Sequence, residues 1–540
     1  MRGIGSAVRS ARRRLRLRWH WRRLHRGVFG VLLLSLCGCT TLHDYFTNGF
    51  KVGPNYKQPP APVAERWIDA DDARIRSEDV DTSNWWAAFN DPLLNDLVQS
   101  AYRQNLTLRE AGFRVLQTRA QLGISIGQIF PQTQEMDGGY SRNAVSHNVA
   151  NREATPQRFY SQWEYGFGLA WELDFWGRFR RAIESSEDTL NASVENYDAV
   201  LVTLIGDVAS TYVEIRTTQQ QIAYARTTLA LQKMSLDIAT AKFKGGQTSE
   251  IDVNQGQSDV SATEGLIEQL LIQLREASNR LCNLLGLPPE DLIAKLGDAP
   301  IPTTPPQIAV GIPADLLRRR PDVRRAERQA AAQSAQIGVA EADFYPAISI
   351  DGTLGWSSEE IDNLISPGSF RGNVGPSFQW QILNYGRILN NVRLQDAAFQ
   401  ALVATYQQTV VQAGQEVEDG LVTFLRAQNR ARSLGRSVAA ETAALKEGIA
   451  QYKNGLVDYN RVVVIQERLV TRQQTYAEAQ GQIAQGLIRV YRALGGGWQI
   501  RCDADANASA CAPTSVPVLA TPAPAMEPLP APKEPAVAKE

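Results

Sequence analysis

Two apolar repeats of period seven dominate the hydropathy pattern. Val194, Leu201, Val208, Ile215, Ile222, Leu229, Leu236 and Phe243 recur without a miss, as do Val403, Val410, Val417, Phe424, Ala431, Val438, Leu445 and Tyr452. No proline lies between Pro156 and Pro288, or between Pro376 and Pro513. A strict seven-residue repeat keeps its seam on a neighbour only when the helices supercoil left-handedly, since a straight helix of 3.6 residues per turn drifts away. The pattern predicts long helices over about 181–244 and 388–453, each roughly 95 Å at 1.5 Å per residue. Shorter partners follow over about 250–286 and 458–495.

Elsewhere the period is two. Trp163, Tyr165, Phe167, Leu169, Trp171, Leu173 and Phe175 alternate with Glu164, Gly166, Gly168, Ala170, Glu172 and Asp174. Ile348 to Trp356 and Val374 to Ile382 alternate in the same way, and 132–146 does so more weakly. Strand pairs are expected at about 132–146 with 161–175, and at about 347–357 with 373–383. No run of about 18 apolar residues exists, so a helical membrane span is excluded; strands of about 9 to 11 alternating residues are not. Four strands cannot close a membrane barrel, and an open edge in lipid leaves backbone groups unpaired at several kcal/mol each. The chain must therefore oligomerise; two, three or four copies give 8, 12 or 16 strands.

The two halves repeat. Leu173 to Arg178 matches Ile382 to Arg387 at an offset of 209, as do Phe243 to Gly246 with Tyr452 to Gly455, and Leu284 to Gly286 with Ala493 to Gly495. Phe130-Pro131 matches Tyr345-Pro346 at 215, which puts a six-residue difference inside the hairpins. Each half reads as helix, strand pair, very long helix, Gly-containing turn, helix.

Charge changes the picture at the N-terminus. The chain has 56 Lys+Arg against 57 Asp+Glu. Ten Arg and no acidic residue fall in 1–38, so the remainder carries a net of -11. Such a balance argues against a nucleic-acid partner. An apolar run of ten residues ends at Leu36-Cys37-Gly38-Cys39. This is a signal peptide h-region, and it resembles a lipoprotein cleavage box whose Cys39 takes S-diacylglycerol and N-acyl chains. Thr40 follows, where Asp resembles an inner-membrane retention signal. Of four His, only His43 and His147 lie beyond the signal, which leaves little for a catalytic triad or a His metal site. Cys502 and Cys511 are a candidate disulfide pair in an oxidising compartment.

Gly53-Pro-Asn-Tyr-Lys-Gln-Pro-Pro60, Trp85-Trp86, Phe89-Asn-Asp-Pro-Leu93, Glu172-Leu-Asp-Phe-Trp-Gly-Arg178, Arg319-Arg-Pro-Asp-Val323 and Ala493-Leu-Gly-Gly-Gly-Trp498 stand in that order. Together with the duplication they resemble TolC-like outer-membrane efflux proteins, nearest the NodT-type lipoprotein branch, over about residues 39–500. The resemblance implies an α+β membrane protein: a homotrimer with a 12-stranded outer-membrane β-barrel, four strands per chain, continued by a periplasmic α-helical coiled-coil barrel. It implies a passive exit duct, not an enzyme and without a soluble cofactor, fed by a periplasmic adaptor (membrane fusion) protein and an inner-membrane pump of RND type. The alternative is the outer-membrane component of a type I protein or metal exporter. No G-x-x-x-x-G-K-[ST] phosphate loop is present, so transport energy is expected from a partner. A coiled-coil adhesin would explain the heptads but not the paired strands.

The expected organisation is a signal peptide at 1–38, a lipidated tether at 39–84, repeats at 85–300 and 301–500, and a Pro/Ala-rich disordered tail at 501–540. Loops at 148–158 and 359–371 are expected outside the cell. In the family the residues after the second turn form the narrowest ring, commonly with an Asp; here that region holds Asn460, Arg461 and Val464. Glu250, Asp252 and Asp458 are nearby carboxylates, and a latch from Arg461 to Glu250 or Asp252 of another helical pair is expected. By analogy the adaptor docks on Gly246, Gln247, Thr248 and Ser249, and on Gly455, Leu456 and Val457.

Overall fold

The computed structural model describes residues 41–504, apart from 77, 79–80, 147, 149, 151–156 and 312–317. The signal segment, Cys39, His147, Cys511 and the tail beyond 504 lie outside the described residues.

A short helix α1 (Leu42–Thr47) leads into an extended segment, a short strand β1 (Ile75–Arg76), and helices α2 (Pro92–Gln104) and α3 (Leu106–Gly127). Strands β2 (Thr133–Ala144) and β3 (Phe159–Leu173) precede α4 (Arg178–Lys244), α5 (Glu250–Leu284) and α6 (Leu292–Leu296). The second half runs through β4 (Ile308–Ala309), α7 (Pro321–Ala342), β5 (Ala347–Ser358), β6 (Phe370–Gln379), α8 (Arg387–Lys453) and α9 (Tyr459–Ala493), and ends in α10 (Ile500–Ala504). Helices α4 and α8 are each 67 residues long, about 100 Å, and α5 and α9 are each 35. Helices α8 and α9 start 209 residues after α4 and α5, and α7 starts 215 residues after α3.

The strands form one antiparallel sheet in the order β2-β3-β5-β6, while β1 and β4 pair separately in parallel. Strand bounds shift from expectation by one or two residues in β2, β3 and β5 and by three or four in β6. The last strand begins at Phe370 and ends at Gln379, short of Ile382, because the chain leaves the sheet for the Asn384-Tyr385-Gly386 turn, whose last two residues have positive φ. The outer loop before it is correspondingly shorter than 359–371. Indole nitrogens fix both helix-to-strand joints alike: Trp171 Nε1 donates to the Ile129 carbonyl at 2.9 Å and Trp380 Nε1 to the Phe344 carbonyl at 3.0 Å. Thr133 and Ala347 are paired equivalently, an offset of 214, so one residue of the six-residue difference is Gln132.

Helices form two tiers. Nearest the sheet, α3, α4, α7 and α8 pack side by side in that order; farther away the order is α5, α4, α9, α8. The heptad seam of α4 is buried at Leu201, Val208, Ile215 and Ile222. Further along, burial passes to Ala225, Thr228, Gln232, Ser235 and Ala239, while Phe243 is 41% exposed. Thr228 donates to Gln473 at 2.9 Å and Gln466 to Ser235 at 2.8 Å, so the distal seam between α4 and α9 is small and polar.

Where the tiers meet, the signature motifs converge. Trp85 stacks on Tyr491 at 5.6 Å, and Arg320 donates to the Ala493 carbonyl while paired with Asp322 and Glu416, both at 2.7 Å. Trp498 lies between Arg324 and Arg501, at 5.0 and 5.5 Å. Arg501 pairs with the fully buried Asp198 at 2.7 Å. Cys502 beside it is disulfide-bonded.

The tether is clamped below the sheet. Arg180 donates to the carbonyls of Gly49 and Phe50, and Arg181 to those of Val52 and Gly53, all within 2.9 Å. A Cβ on Gly53, which has φ +85°, would sit 2.4 Å from the Gly338 Cα. Beyond the clamp the segment follows α8: Gln58 donates to Tyr406, Gln407 to the Pro60 carbonyl, Ile68 N–H to Glu418, and Arg74 to the Leu425 carbonyl.

Gly53→Val should therefore release this segment. The left-handed backbone alone costs a β-carbon residue about 1–2 kcal/mol, before the clash with α7. Limited proteolysis should cut within 48–74 at least fivefold faster, and unchanged cleavage would contradict the clamp. Burial raises the Asp198 carboxyl to about 7, Arg501 opposing and Glu195 adding to the rise. The folded chain then holds a proton that the unfolded chain loses from about pH 4, so this group's contribution to stability falls between about pH 4 and 7. Asp198→Asn should reduce the loss of melting temperature between pH 5 and pH 8; an unchanged difference would contradict the assignment.

Candidate functional site: a two-faced wall and its distal turns

Register assigns every strand residue to one of two faces. Met136, Gly138 and Tyr140 of β2 share a face with Trp163 through Leu173 (odd positions) of β3. Ile348, Ile350, Gly352, Leu354 and Trp356 of β5 continue it, and Phe370, Gly372, Val374, Pro376 and Phe378 of β6 complete it. The opposite face carries Glu135, Asp137, Glu164, Glu172, Ser349, Asp351, Thr353, Arg371, Asn373 and Ser377. Arg371 pairs with Glu164 at 3.3 Å, and Ser377 donates to Asp351. Poor alternation in β2 hid its role in the sequence, because Gly138 and Gly139 leave gaps in both faces; pairing with Tyr165 and Glu164 resolves it. Pro376 of β6 lies opposite Ile350 of β5.

An apolar face opposed to a polar one rich in carboxylates is the wall of a membrane channel: lipid on one side, water on the other. Trp163 and Trp171 stand near the two ends of the apolar band, where indoles favour membrane interfaces.

At the far end of the long helices, two turns have the same construction. After α4, the N–H groups of Gly246 and Gln247 donate to the carbonyls of Phe243 and Lys242, both at 2.9 Å; after α8, Gly455 and Leu456 donate to Tyr452 and Gln451 at 3.0 and 2.9 Å. Gly246 (φ 69°) and Gly455 (φ 76°) supply the left-handed residue that this helix ending requires. Gly246, Gln247, Ser249, Gly455 and Leu456 are exposed, Leu456 at 73%; Thr248 and Val457 are half-buried.

The expected gate residues separate into different roles. Asp458 caps α9, accepting the Arg461 N–H at 2.9 Å. Asp252 accepts from Thr248 and, at 3.4 Å, from the Tyr452 hydroxyl. Asn460, Arg461 and Glu250 are exposed and Val464 is half-buried; among the described residues no ion pair within the chain joins Arg461 to Glu250 or Asp252. Sequence reasoning missed Tyr452 and Lys242. Tyr452 is buried, its ring lies 4.3 Å from the Lys242 ammonium, and Lys242 also donates to the Tyr452 carbonyl. Burial and the Asp252 charge push the Tyr452 hydroxyl up to about 12, so it keeps its proton and donates. Tyr452 therefore ties the second helical hairpin to both arms of the first. Its place in the heptad series pointed to packing, and no motif marked the hydroxyl.

A polar-lined wall on helices of this length defines an outer-membrane channel protein. The chain belongs to the outer membrane efflux protein family, whose model matches residues 97–287 and 312–496. It is 30% identical to nodulation protein T of Rhizobium leguminosarum bv. viciae, over 83% of this chain and 90% of that one. It is also 30% identical to the toluene efflux pump outer membrane protein TtgF of Pseudomonas putida, over 87% of this chain and 96% of that one. Identity to the probable outer membrane lipoprotein SilC of Salmonella typhimurium is 27%, over 87% and 100%. Among solved structures, the outer-membrane channel OprN superposes with a TM-score of 0.77 at 30% identity, covering 83% of this chain and 99% of that one. The protein is an outer-membrane efflux channel.

Tyr452→Phe keeps the ring and its contact with Lys242 but removes the hydroxyl donor. A hydrogen bond of this kind is worth about 1 kcal/mol, or roughly fivefold in an equilibrium. Open probability in planar bilayers should rise by about that factor; no change would remove Tyr452 from the gate.

Proposed function

We propose that three copies close into a passive duct of twelve strands and a continuous helical barrel, which receives drugs or other small molecules from a periplasmic adaptor and an RND-type inner-membrane pump. One observation carries this reading: the chain ends on matching open edges at three levels. The sheet is open at β2 and β6, the proximal helix tier at α3 and α8, and the distal tier at α5 and α8. Joining β6 and α8 of one copy to β2, α3 and α5 of the next satisfies all three together. Three copies place twelve strands above twelve helices, and the recurrence at 209 residues reads as an internal duplication that makes six similar units.

Cys39 carries the lipid anchor in this reading, and α1 holds the tether near the inner leaflet. The exposed turn residues Gly246 to Ser249 and Gly455 to Val457 are the adaptor's docking surface. Arg461, exposed on the first turn of α9, latches onto Glu250 of a neighbouring hairpin and adds to the Tyr452–Asp252 tie.

Expression with its adaptor and pump in a strain lacking its own outer-membrane efflux duct should restore export of a fluorescent pump substrate. Arg461→Ala should raise single-channel opening without abolishing that export. Failure to restore export with the adaptor bound would contradict the duct reading, and an unchanged opening probability would remove the Arg461 latch.

A further inference from the structure

The seam between the two halves of one chain is a template for the seam between chains. Within the chain, Trp176 stacks on Tyr345 with ring centroids 4.5 Å apart and planes at 22°, just below the sheet where β3 meets β5. The same offsets that relate the Trp171 and Trp380 hydrogen bonds, 209 and 215, carry Trp176 to Tyr385 and Tyr345 to Phe130. These two rings are far apart in sheet order, at opposite edges, and both are bare: Tyr385 is 95% exposed and Phe130 is 62% exposed. Tyr385 differs from Trp176 in its left-handed backbone, φ 50°, within the turn that leads into α8.

Helices repeat the argument. Along the seam of α4 with α7, Asp188 pairs with Arg328 at 3.3 Å, and Gln336 donates to Ser185 at 2.8 Å. The corresponding positions on α8 and α3 are Ala397 with Phe113 and Leu394 with Gln121. An ion pair inside the chain becomes an Ala–Phe contact at its edge. Phe113 and Leu394 are 58% and 61% exposed in the single chain, on helices whose other flank is packed.

We infer that neighbouring copies meet in the register of the internal β3–β5 seam, with Tyr385 of one stacked on Phe130 of the next and Phe378 of β6 directly opposite Gly138 of β2. Internally Leu169 faces Gly352; shifting Leu169 by 209 and Gly352 by 214 gives Phe378 and Gly138. Both lie on the apolar face, so the register keeps that face continuous across the joint. A Cβ on Gly138 meets its nearest neighbour at 3.6 Å, which leaves space for a side chain there.

The inference rests on the closed three-chain duct, and the test separates the two. In membranes from cells expressing Phe378→Cys with Gly138→Cys, mild oxidation should give chains linked in a covalent ladder ending at three, because directly opposed Cβ atoms come to about 4.5 Å, within reach of a disulfide. Phe378→Cys with Met136→Cys or with Tyr140→Cys, shifted by two residues, should link at least tenfold more slowly. A three-chain ladder that forms best from a shifted pair overturns the register and leaves the closed duct standing. No ladder from any pair, with one chain per particle in native lipid, overturns both. The Tyr385→Ala, Phe130→Ala double variant should dissociate no more readily in detergent than either single variant, since each removes the same stack; additive losses would overturn the contact.

Discussion

The edge of the four-stranded sheet controls everything else. In the hydrocarbon layer no water is available to the N–H and C=O groups of β2 and β6, and each group left unpaired costs several kcal/mol. With its lipid face fixed by register, the sheet cannot curl onto itself with only four strands. In the proposed duct the pairing comes from another chain. The helical tiers inherit the same need, since each presents one flank of α8 on one side and α3 or α5 on the other. An apolar flank such as Phe113 and Leu394 is stable only when covered.

Long helices make the sheet and the distal turns mechanically continuous. Gly177 and Gly386, each with a positive φ, redirect the chain from strand into a 67-residue helix. Arg180 and Arg181 lie in the first turn of α4 and hold the segment 49–53 against it. At the other end, the turns are closed by backbone bonds and Gly, and Tyr452 joins the two hairpins through Lys242 and Asp252. Wall and turns are thus built from different interactions: pairing and burial for the wall, a few polar contacts between the hairpins at the turns.

The architecture was largely legible because it is periodic. The seven-residue seam, the alternating strands and the 209-residue offset are properties of residue order, and they located the helices and three strands within a few residues. The fourth strand was faint because Gly138 and Gly139 give no hydropathic signal, and the end of β6 was misplaced because Trp380 and Ile382 continue an apolar alternation after the backbone has turned. The site was less legible. Asp458 looked like a rim carboxylate but serves as a cap, a difference that depends on where α9 starts by one residue. Tyr452 looked like a heptad residue because its ring is one, and only packing against Lys242 and Asp252 reveals the second use of its hydroxyl.

The polar seam between α4 and α9 fits the same division. Thr228, Gln232 and Ser235 replace aliphatic residues where the distal helices meet, so these helices are joined by hydrogen bonds that rearrange more readily than an interlocked aliphatic core. Leu201, Val208 and Ile215 of α4 lie instead in the main apolar core with Leu281 of α5 and Leu487 of α9. All of this presupposes that the sheet edge is closed by copies of the same chain. Imaging single particles in lipid nanodiscs tests that most directly: the account predicts threefold symmetry with a continuous ring of twelve strands, and particles containing one chain, or a ring with an unpaired edge facing lipid, would contradict it.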